Sequence, residues 1–207
     1  FFDESVMKNI TKKLKKIWWG VKSHGARYYY GNPSKKLKIV GVTGTNGKTT
    51  TATLLYKIAT GLGYKAGLVS TVENIVVKEV RPATHTTPDS ITLTKLFSDM
   101  VKAGCEYAFM EVSSHSVVHH RIEGLEFAGA IFTNITHDHF DYHGTFEEYL
   151  KAKQGFLNML EADAFVLSNL DDMNAKVLDK NSKAAKKYFS LKSTADFQCK
   201  ILQNSFD

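Results

Sequence analysis

One stretch limits what this chain can fold into more than any other: Ile39-Val40-Gly41-Val42-Thr43-Gly44-Thr45-Asn46-Gly47-Lys48-Thr49-Thr50. The mostly apolar segment Leu37 to Val42 has the length and content of a short buried strand. A glycine-bearing turn follows, and from Thr51 to Tyr64 apolar residues recur at near-helical spacing. Strand, glycine loop, Gly-Lys-Thr and helix is the order of a phosphate-binding loop. Glycines let the backbone approach phosphate oxygens and turn its N–H groups inward, and the helix N-terminus adds partial positive charge. Gly44, Thr45, Asn46, Gly47, Lys48, Thr49 and Thr50 are thus the expected ligands of a nucleotide. Lys48 is expected to reach the β/γ-phosphates, and the Thr49 hydroxyl to ligate Mg²⁺. In the general G-x-x-x-x-G-K-[ST] pattern the first glycine falls on Val42, so the loop is the tighter Gly44-x-x-Gly47-Lys48-Thr49 form. The bland alternative is a glycine-rich αβ turn with a surface lysine.

Further strands are expected at Ala66–Ser70, Tyr107–Val112, Ala128–Asn134, Ala164–Ser168 and Tyr188–Leu191, with a hairpin or edge strand over Glu73–Val80. Helices are expected from Ser90, as N-cap, to Ala103, over Ser114–His120, from a Thr145–Glu148 capping box to about Leu160, and over Asp171–Leu178. Strands alternating with helices predict an α/β fold: a mostly parallel sheet with helices on both faces, like that of P-loop NTPases. In such sheets ligands bind at the carboxyl ends of the strands. Met7 to Val21 reads as a basic amphipathic helix, with Ile10, Leu14, Ile17 and Trp18 on one face, closed by a turn at Tyr28 to Pro33. Residues 1–35 are accordingly read as a linker or the remnant of an upstream domain, and 36–207 as a nucleotide-binding domain expected to be incomplete at its C-terminus, with a C-terminal domain absent.

With 207 residues, 43% hydrophobic and 23% charged, the chain has the makeup of an ordinary globular protein. No apolar run approaches the roughly 20 residues of a membrane helix, and no secretory signal is evident, so the cytoplasm is the expected compartment and membrane insertion is not expected. A membrane-surface role for the basic helix is the rival to a linker. Cys105 and Cys199 have neither metal-type spacing nor a disulfide pattern. The net charge of +6 is concentrated in Lys12–Lys16 and Lys183–Lys187, read as solvated lysine-rich helices. Basic and aromatic residues do not interleave as a nucleic-acid platform requires.

Glu111, in Met110-Glu111-Val112-Ser113-Ser114-His115, ends an apolar strand. A buried carboxylate needs a partner, and beside a phosphate loop the natural partner is Mg²⁺, held by Thr49 and an acidic residue from a neighbouring strand; a strand-end salt bridge is the alternative. Thr136-His137-Asp138-His139-Phe140-Asp141-Tyr142-His143 is dense in ligand types. It partly matches the His-x-His-x-Asp motif of metallo-β-lactamase-type hydrolases, but Tyr142 separates the second Asp from its His, and those enzymes have no Gly-Lys-Thr loop. From spacing alone Lys153 belongs to a solvated helix face, Thr86-Thr87-Pro88-Asp89 to a hydroxyl-rich loop, and Arg121 to the candidate anion ligands.

Together, the loop, Thr86-Thr87-Pro88, Met110 to His115, Phe132 to Gly144 and Tyr149 to Lys153 resemble the Mur ligase family, in family order over about Tyr30 to Tyr188. The Met-Glu-Val-Ser-Ser-His and Asp-His-x-Asp-Tyr-His runs point to the branch that adds the third residue of the peptidoglycan stem peptide; the short loop form is shared with folylpolyglutamate synthetases. The resemblance implies an ATP- and Mg²⁺-dependent ligase, expected to be monomeric. It would phosphorylate the D-glutamate carboxylate of UDP-MurNAc-L-Ala-D-Glu and let an amine of meso-diaminopimelate, or of L-lysine, attack the acyl phosphate. It further implies phosphate and first-metal roles for Lys48 and Thr49, contact of Glu111 with two metal ions, a second-metal role for His139, and carbamylation of Lys153, which reverses the reading from spacing. Thr86, Thr87, Ser113 and Arg121 map onto the nucleotide-sugar site, with His85 where Asn is frequent and His119 where Gln is frequent; both can still donate a hydrogen bond. A folylpolyglutamate-type ligase and a non-catalytic ATP-binding fragment are the alternatives.

Overall fold

The computed structural model describes residues 4–136 and 144–199. Among these, nine strands form one sheet in the order β4-β3-β2-β5-β1-β6-β7-β8-β9. The strands are β1 (Lys38–Thr43), β2 (Ala66–Val69), β3 (Glu73–Val76), β4 (Glu79–Pro82), β5 (Tyr107–Glu111), β6 (Gly129–Phe132), β7 (Phe165–Asn169), β8 (Ala185–Ser190) and β9 (Phe197–Gln198). From β2 across to β9 neighbouring strands run parallel, and only the β2-β3-β4 flank is antiparallel. The mostly parallel α/β sheet read from the sequence is the fold found.

Strand β1 is central and buried on both faces. Ile39 packs with Phe97, Met110 and Phe156 on one side, and Val40 and Val42 pack with Ala52, Leu68 and Phe109 on the other. Burial on both faces explains why its sequence is free of polar side chains from Ile39 to Val42 rather than apolar at every second residue. Helix α2 (Lys48–Gly61) covers the second face. Helices α3 (Ser90–Lys102) and α5 (Phe146–Leu157) cover the first, sending Phe97, Met100 and Phe156 into the larger core, while the short α4 (Ser114–Val118) packs against α5.

Several boundaries differ from the sequence reading, each for a local reason. The cap of α3 is Asp89, not Ser90: its carboxylate accepts from the N–H groups of Ile91 and Thr92, while Ser90 is already helical and buried. Thr145 does cap α5, accepting from Glu148 N–H at 3.2 Å, but the helix stops at Leu157. The helix expected over Asp171–Leu178 shrinks to α6 (Ala175–Leu178), because Asp171 and Asp172 are taken up in bonds to Leu191 and Asn174 N–H groups. Lys183–Lys187 is not a solvated helix. Lys186 and Lys187 belong to β8, paired with Val166 and Leu167 of β7, and their ammonium groups reach out to Lys180 O and Asp196.

The basic helix expected over Met7–Val21 is longer. α1 spans Glu4–Tyr29 and ends at the predicted turn, where Gly31 and Asn32 take positive φ angles of 71° and 49°. Its second half packs on the domain: Ser23 and Ala26 are buried, and Ser23 Oγ donates to Glu123 O at 2.8 Å. At the antiparallel flank, Arg81 of β4 bridges Glu79 and Asp99, at 2.8 and 2.7 Å. No helix among the described residues is long and apolar enough to cross a membrane. Cys105 is buried, Cys199 is exposed, and both are free thiols.

Candidate nucleotide and substrate site

The chain must turn sharply once β1 leaves the sheet. Gly44 does so at φ 152°, where an added Cβ would lie 1.9 Å from Thr133 Oγ1, so no side chain fits. Gly47, at φ 81°, caps α2 without a side-chain bond. A helix directs its first N–H groups and partial positive charge out of its N-terminus, here at Lys48, Thr49 and Thr50.

The loop is held from the segment after β6. Thr45 N–H donates to Asn134 O at 2.8 Å, and the Asn134 side chain closes a two-way clamp on the Asn46 backbone, with both bonds at 3.0 Å. Thr133 Oγ1 donates to Asn46 O at 2.7 Å, and Thr45 Oγ1 accepts from Thr136 N–H and meets Tyr149 OH at 3.1 Å. Asn169 and Asp172 brace this segment from behind, through Thr133 O and Ile135 N–H. Sequence reasoning missed Asn134, Tyr149, Asn169 and Asp172 as loop supports. The only signal for Asn134 was its place just past a buried strand.

Two lysines converge on the loop. Lys48 Nζ donates to Gly44 O at 3.0 Å and to Thr45 O at 2.7 Å. Lys153, 1% exposed, donates to the same Gly44 O at 2.7 Å, with its ammonium 4.5 Å from the Tyr149 ring centroid. The solvated face assigned to Lys153 from spacing is therefore wrong. α5 turns that residue inward, between Tyr149 and the loop.

Glu111 closes β5, next to β1 and in register with Val42. It is 1% exposed; Oε1 accepts from Thr71 N–H at 2.6 Å, while Oε2 is buried with no hydrogen-bond partner. A buried carboxylate oxygen left in that state is costly and suits a hard cation with oxygen ligands. The Glu111 carboxylate therefore suits Mg²⁺. Among the described residues no three His, Cys, Asp or Glu side chains cluster as a metal cage, and Mg²⁺ does not require one, because it keeps water and phosphate ligands. His139, with His137, Asp138, Asp141 and His143, lies outside the described residues.

Above Glu111 sits Thr87, fully buried, whose Oγ1 donates to Glu111 O at 2.8 Å and accepts from Ser113 N–H at 3.3 Å. Thr86 Oγ1 meets Thr71 Oγ1 at 3.1 Å. Arg121 Nη1 donates to Thr87 O at 2.7 Å and Nη2 lies 3.5 Å from His119 Nδ1. The exposed His85 meets Thr84 Oγ1. Burial, then the positive neighbours Arg121, His115 and His120, push the His119 imidazole below its ordinary value.

One pocket of about 330 Å³ gathers Gly44, Lys48, Tyr149 and Lys153 on one side and His85, Thr86, Thr87, Ser113 and Arg121 on the other. Glu111 and His119 do not line it but bond residues that do, Thr87 and Arg121; Asn46 and Thr50 are exposed and Thr49 half-buried. The arrangement sets a cationic, N–H-rich loop against a hydroxyl-lined wall ending in a guanidinium.

These features define an α/β domain whose glycine loop faces a hydroxyl-lined wall across one pocket. The Mur ligase middle domain family model matches residues 42–207, and the chain belongs to the Mur ligase family. It is 57% identical over 180 residues to the UDP-N-acetylmuramoyl-L-alanyl-D-glutamate–2,6-diaminopimelate ligase of Cytophaga hutchinsonii, covering 87% of this chain and 37% of that protein. With the enzyme of the same name from Phocaeicola vulgatus, identity is 52% over 204 residues, or 99% of this chain and 42% of the relative. The chain thus spans about two-fifths of the curated relatives it matches. A solved diaminopimelate ligase of that name superposes with TM-score 0.71 at 30% identity, over 78% of this chain and 34% of the other. A folylpolyglutamate synthase from Mycobacterium tuberculosis shares the fold at TM-score 0.65 and 15% identity, over 84% of this chain and 48% of the other.

Proposed function

We propose that the chain is the ATP-handling part of a ligase that joins meso-diaminopimelate to the D-glutamate of UDP-MurNAc-L-Ala-D-Glu. The observation that carries this reading is the pocket in which the loop and Lys48 face Thr86, Thr87 and Arg121. Moving a phosphoryl group onto a carboxylate needs both anions in one electropositive space. The loop takes the triphosphate; Thr86, Thr87, Ser113 and Arg121, with His85 and His119 at the margin, take the acidic substrate. Relatives at more than half identity carry this activity in their names, which favours it over a folylpolyglutamate-type ligase.

The chemistry is two displacements. The substrate carboxylate oxygen takes the γ-phosphoryl group and ADP leaves; the incoming amine then attacks that carbonyl carbon, and phosphate leaves with the carboxylate oxygen as the proton passes from nitrogen. Thr49, Glu111 and His139 would hold Mg²⁺, which would neutralise charge on the transferring group. Lys48 exchanges its bonds to Gly44 and Thr45 carbonyls for phosphate oxygens. Lys153 would join the metal ligands once its neutral amine had added CO₂, forming an N–C bond and releasing one proton.

Thermal unfolding of the 207-residue chain tests the reading, since a ligand bound only by the folded state raises the midpoint. MgATP and UDP-MurNAc-L-Ala-D-Glu should each raise it, and dihydrofolate should not. No shift with MgATP, or the same shift in a Lys48→Ala variant, overturns the proposal.

A further inference from the structure

Helix α1 contributes a side chain that the phosphate loop does not use. Trp19 lies against His119, with ring centroids 4.9 Å apart and planes at 30°, and 6.4 Å from His120. One turn on, Ser23 bonds Glu123 O, and Arg27 donates to Gly124 O. Residues 19, 23 and 27 share one helix face, so α1 braces the whole segment from His119 to Gly124. That segment is held in an unfavourable shape: His120 has φ 53°, a region that L side chains rarely occupy, and its ring is pinned by Glu123 Oε2 at 2.7 Å.

Arg121 sits inside this braced segment, its backbone N–H on Ser116 O at 2.9 Å and its guanidinium on Thr87 O. The guanidinium can use His119 Nδ1 only as an acceptor, because it has none of its own. That requires a neutral imidazole, the form which burial and its cationic neighbours favour. A line of contacts therefore runs from Trp19 through His119 and Arg121 to Thr87, from the outside of the domain into the pocket.

We propose that Trp19 is a positioning residue: it fixes the His119 ring, and through it the Arg121 guanidinium, and so sets the affinity of the pocket for its carboxylate-bearing substrate without touching the nucleotide half. This rests on the assignment of the Thr86–Arg121 wall to that substrate. The test measures, on the 207-residue chain, Kd for UDP-MurNAc-L-Ala-D-Glu and for MgATP by calorimetry, together with the Arg121 Nε–Hε resonance in the ligand-free protein. Trp19→Ala should move or broaden that resonance and weaken the dipeptide ligand about tenfold, the scale of a misaligned charge-assisted bond, with MgATP affinity changed less than about twofold. Trp19→Phe should restore most of both. Trp19→Leu, which keeps the bulk but no aromatic face, should behave as Trp19→Ala and stands in for it should that variant not fold. An unmoved Arg121 resonance, or equal loss of both ligands, overturns the proposal. If the wild-type chain binds no dipeptide ligand, the substrate assignment fails, and the positioning role is decided by the Arg121 resonance alone.

Discussion

Lys48 and Lys153 end on one carbonyl, that of Gly44, at 3.0 and 2.7 Å. Of the two, Lys48 opens helix α2, where a phosphate oxygen would replace the carbonyls as its acceptor. Lys48→Ala should weaken MgATP binding roughly 10- to 100-fold, the equivalent of a charge-assisted bond of about 1.5–3 kcal/mol, measured by calorimetry. Gly44→Ala drives a methyl into Thr133 Oγ1; it should abolish nucleotide binding and lower stability by about 1–3 kcal/mol, read from urea unfolding. His119 gives a pH signature. Its folded-state value is held below the ordinary 6.5, first by burial and then by Arg121, His115 and His120. Between those two values the unfolded chain binds more protons than the folded one, so stability rises with pH and is fully present above 6.5. Urea unfolding at pH 7.5 and 5.5 should show a smaller loss on acidification in His119→Gln than in the wild type.

At the scale of elements, the cap of α3 separates two adjacent residues. Asp89→Ala should cost about 1 kcal/mol, and Ser90→Ala less, because the bonds to Ile91 and Thr92 N–H come from Asp89. Burial raises the Asp89 carboxyl, but Thr92 and Ile91 outweigh it and hold it below the usual 3.8, so its contribution is complete above that value and is lost in stronger acid. Asp89 shows how far the sequence could be read. The loop, its strand and its helix were legible because their signals are contiguous: an apolar run, glycines at the turns, then helical spacing. The clamp of Asn134 on Asn46 was not, because it joins residues 88 apart and nothing local marks it. Lys153 was misplaced for a similar reason: its helix periodicity fits either face until Tyr149 and the Gly44 carbonyl are brought beside it. Lys186 and Lys187 misled because long lysine stems let a strand look like a soluble helix. The hydroxyl-lined wall was assembled only through family resemblance; the bonds of Thr87 to Glu111 and Arg121 to Thr87 span 24 and 34 residues.

For the whole molecule, the decisive number is extent. The chain covers about two-fifths of its curated relatives, and its pocket has the loop on one side and the hydroxyl wall on the other. The isolated 207 residues should bind MgATP yet form no measurable tripeptide when supplied with UDP-MurNAc-L-Ala-D-Glu and diaminopimelate; product detected by mass spectrometry would refute this. The sheet also has a flank where β4 ends the array. There Arg81, tied to Glu79 and Asp99, and the N–H-less Pro82 stand in place of further apolar residues. A passing strand from another molecule would have to strip those charges of water and forgo a bond at the proline before it could add on. A double change of Arg81→Val and Pro82→Val should thus turn a well-behaved solute into one that clumps on standing, visible as rising light scatter at unchanged fold. The salt-laced border works as a fence, keeping a sheet that is otherwise open along its side from growing into a fibre.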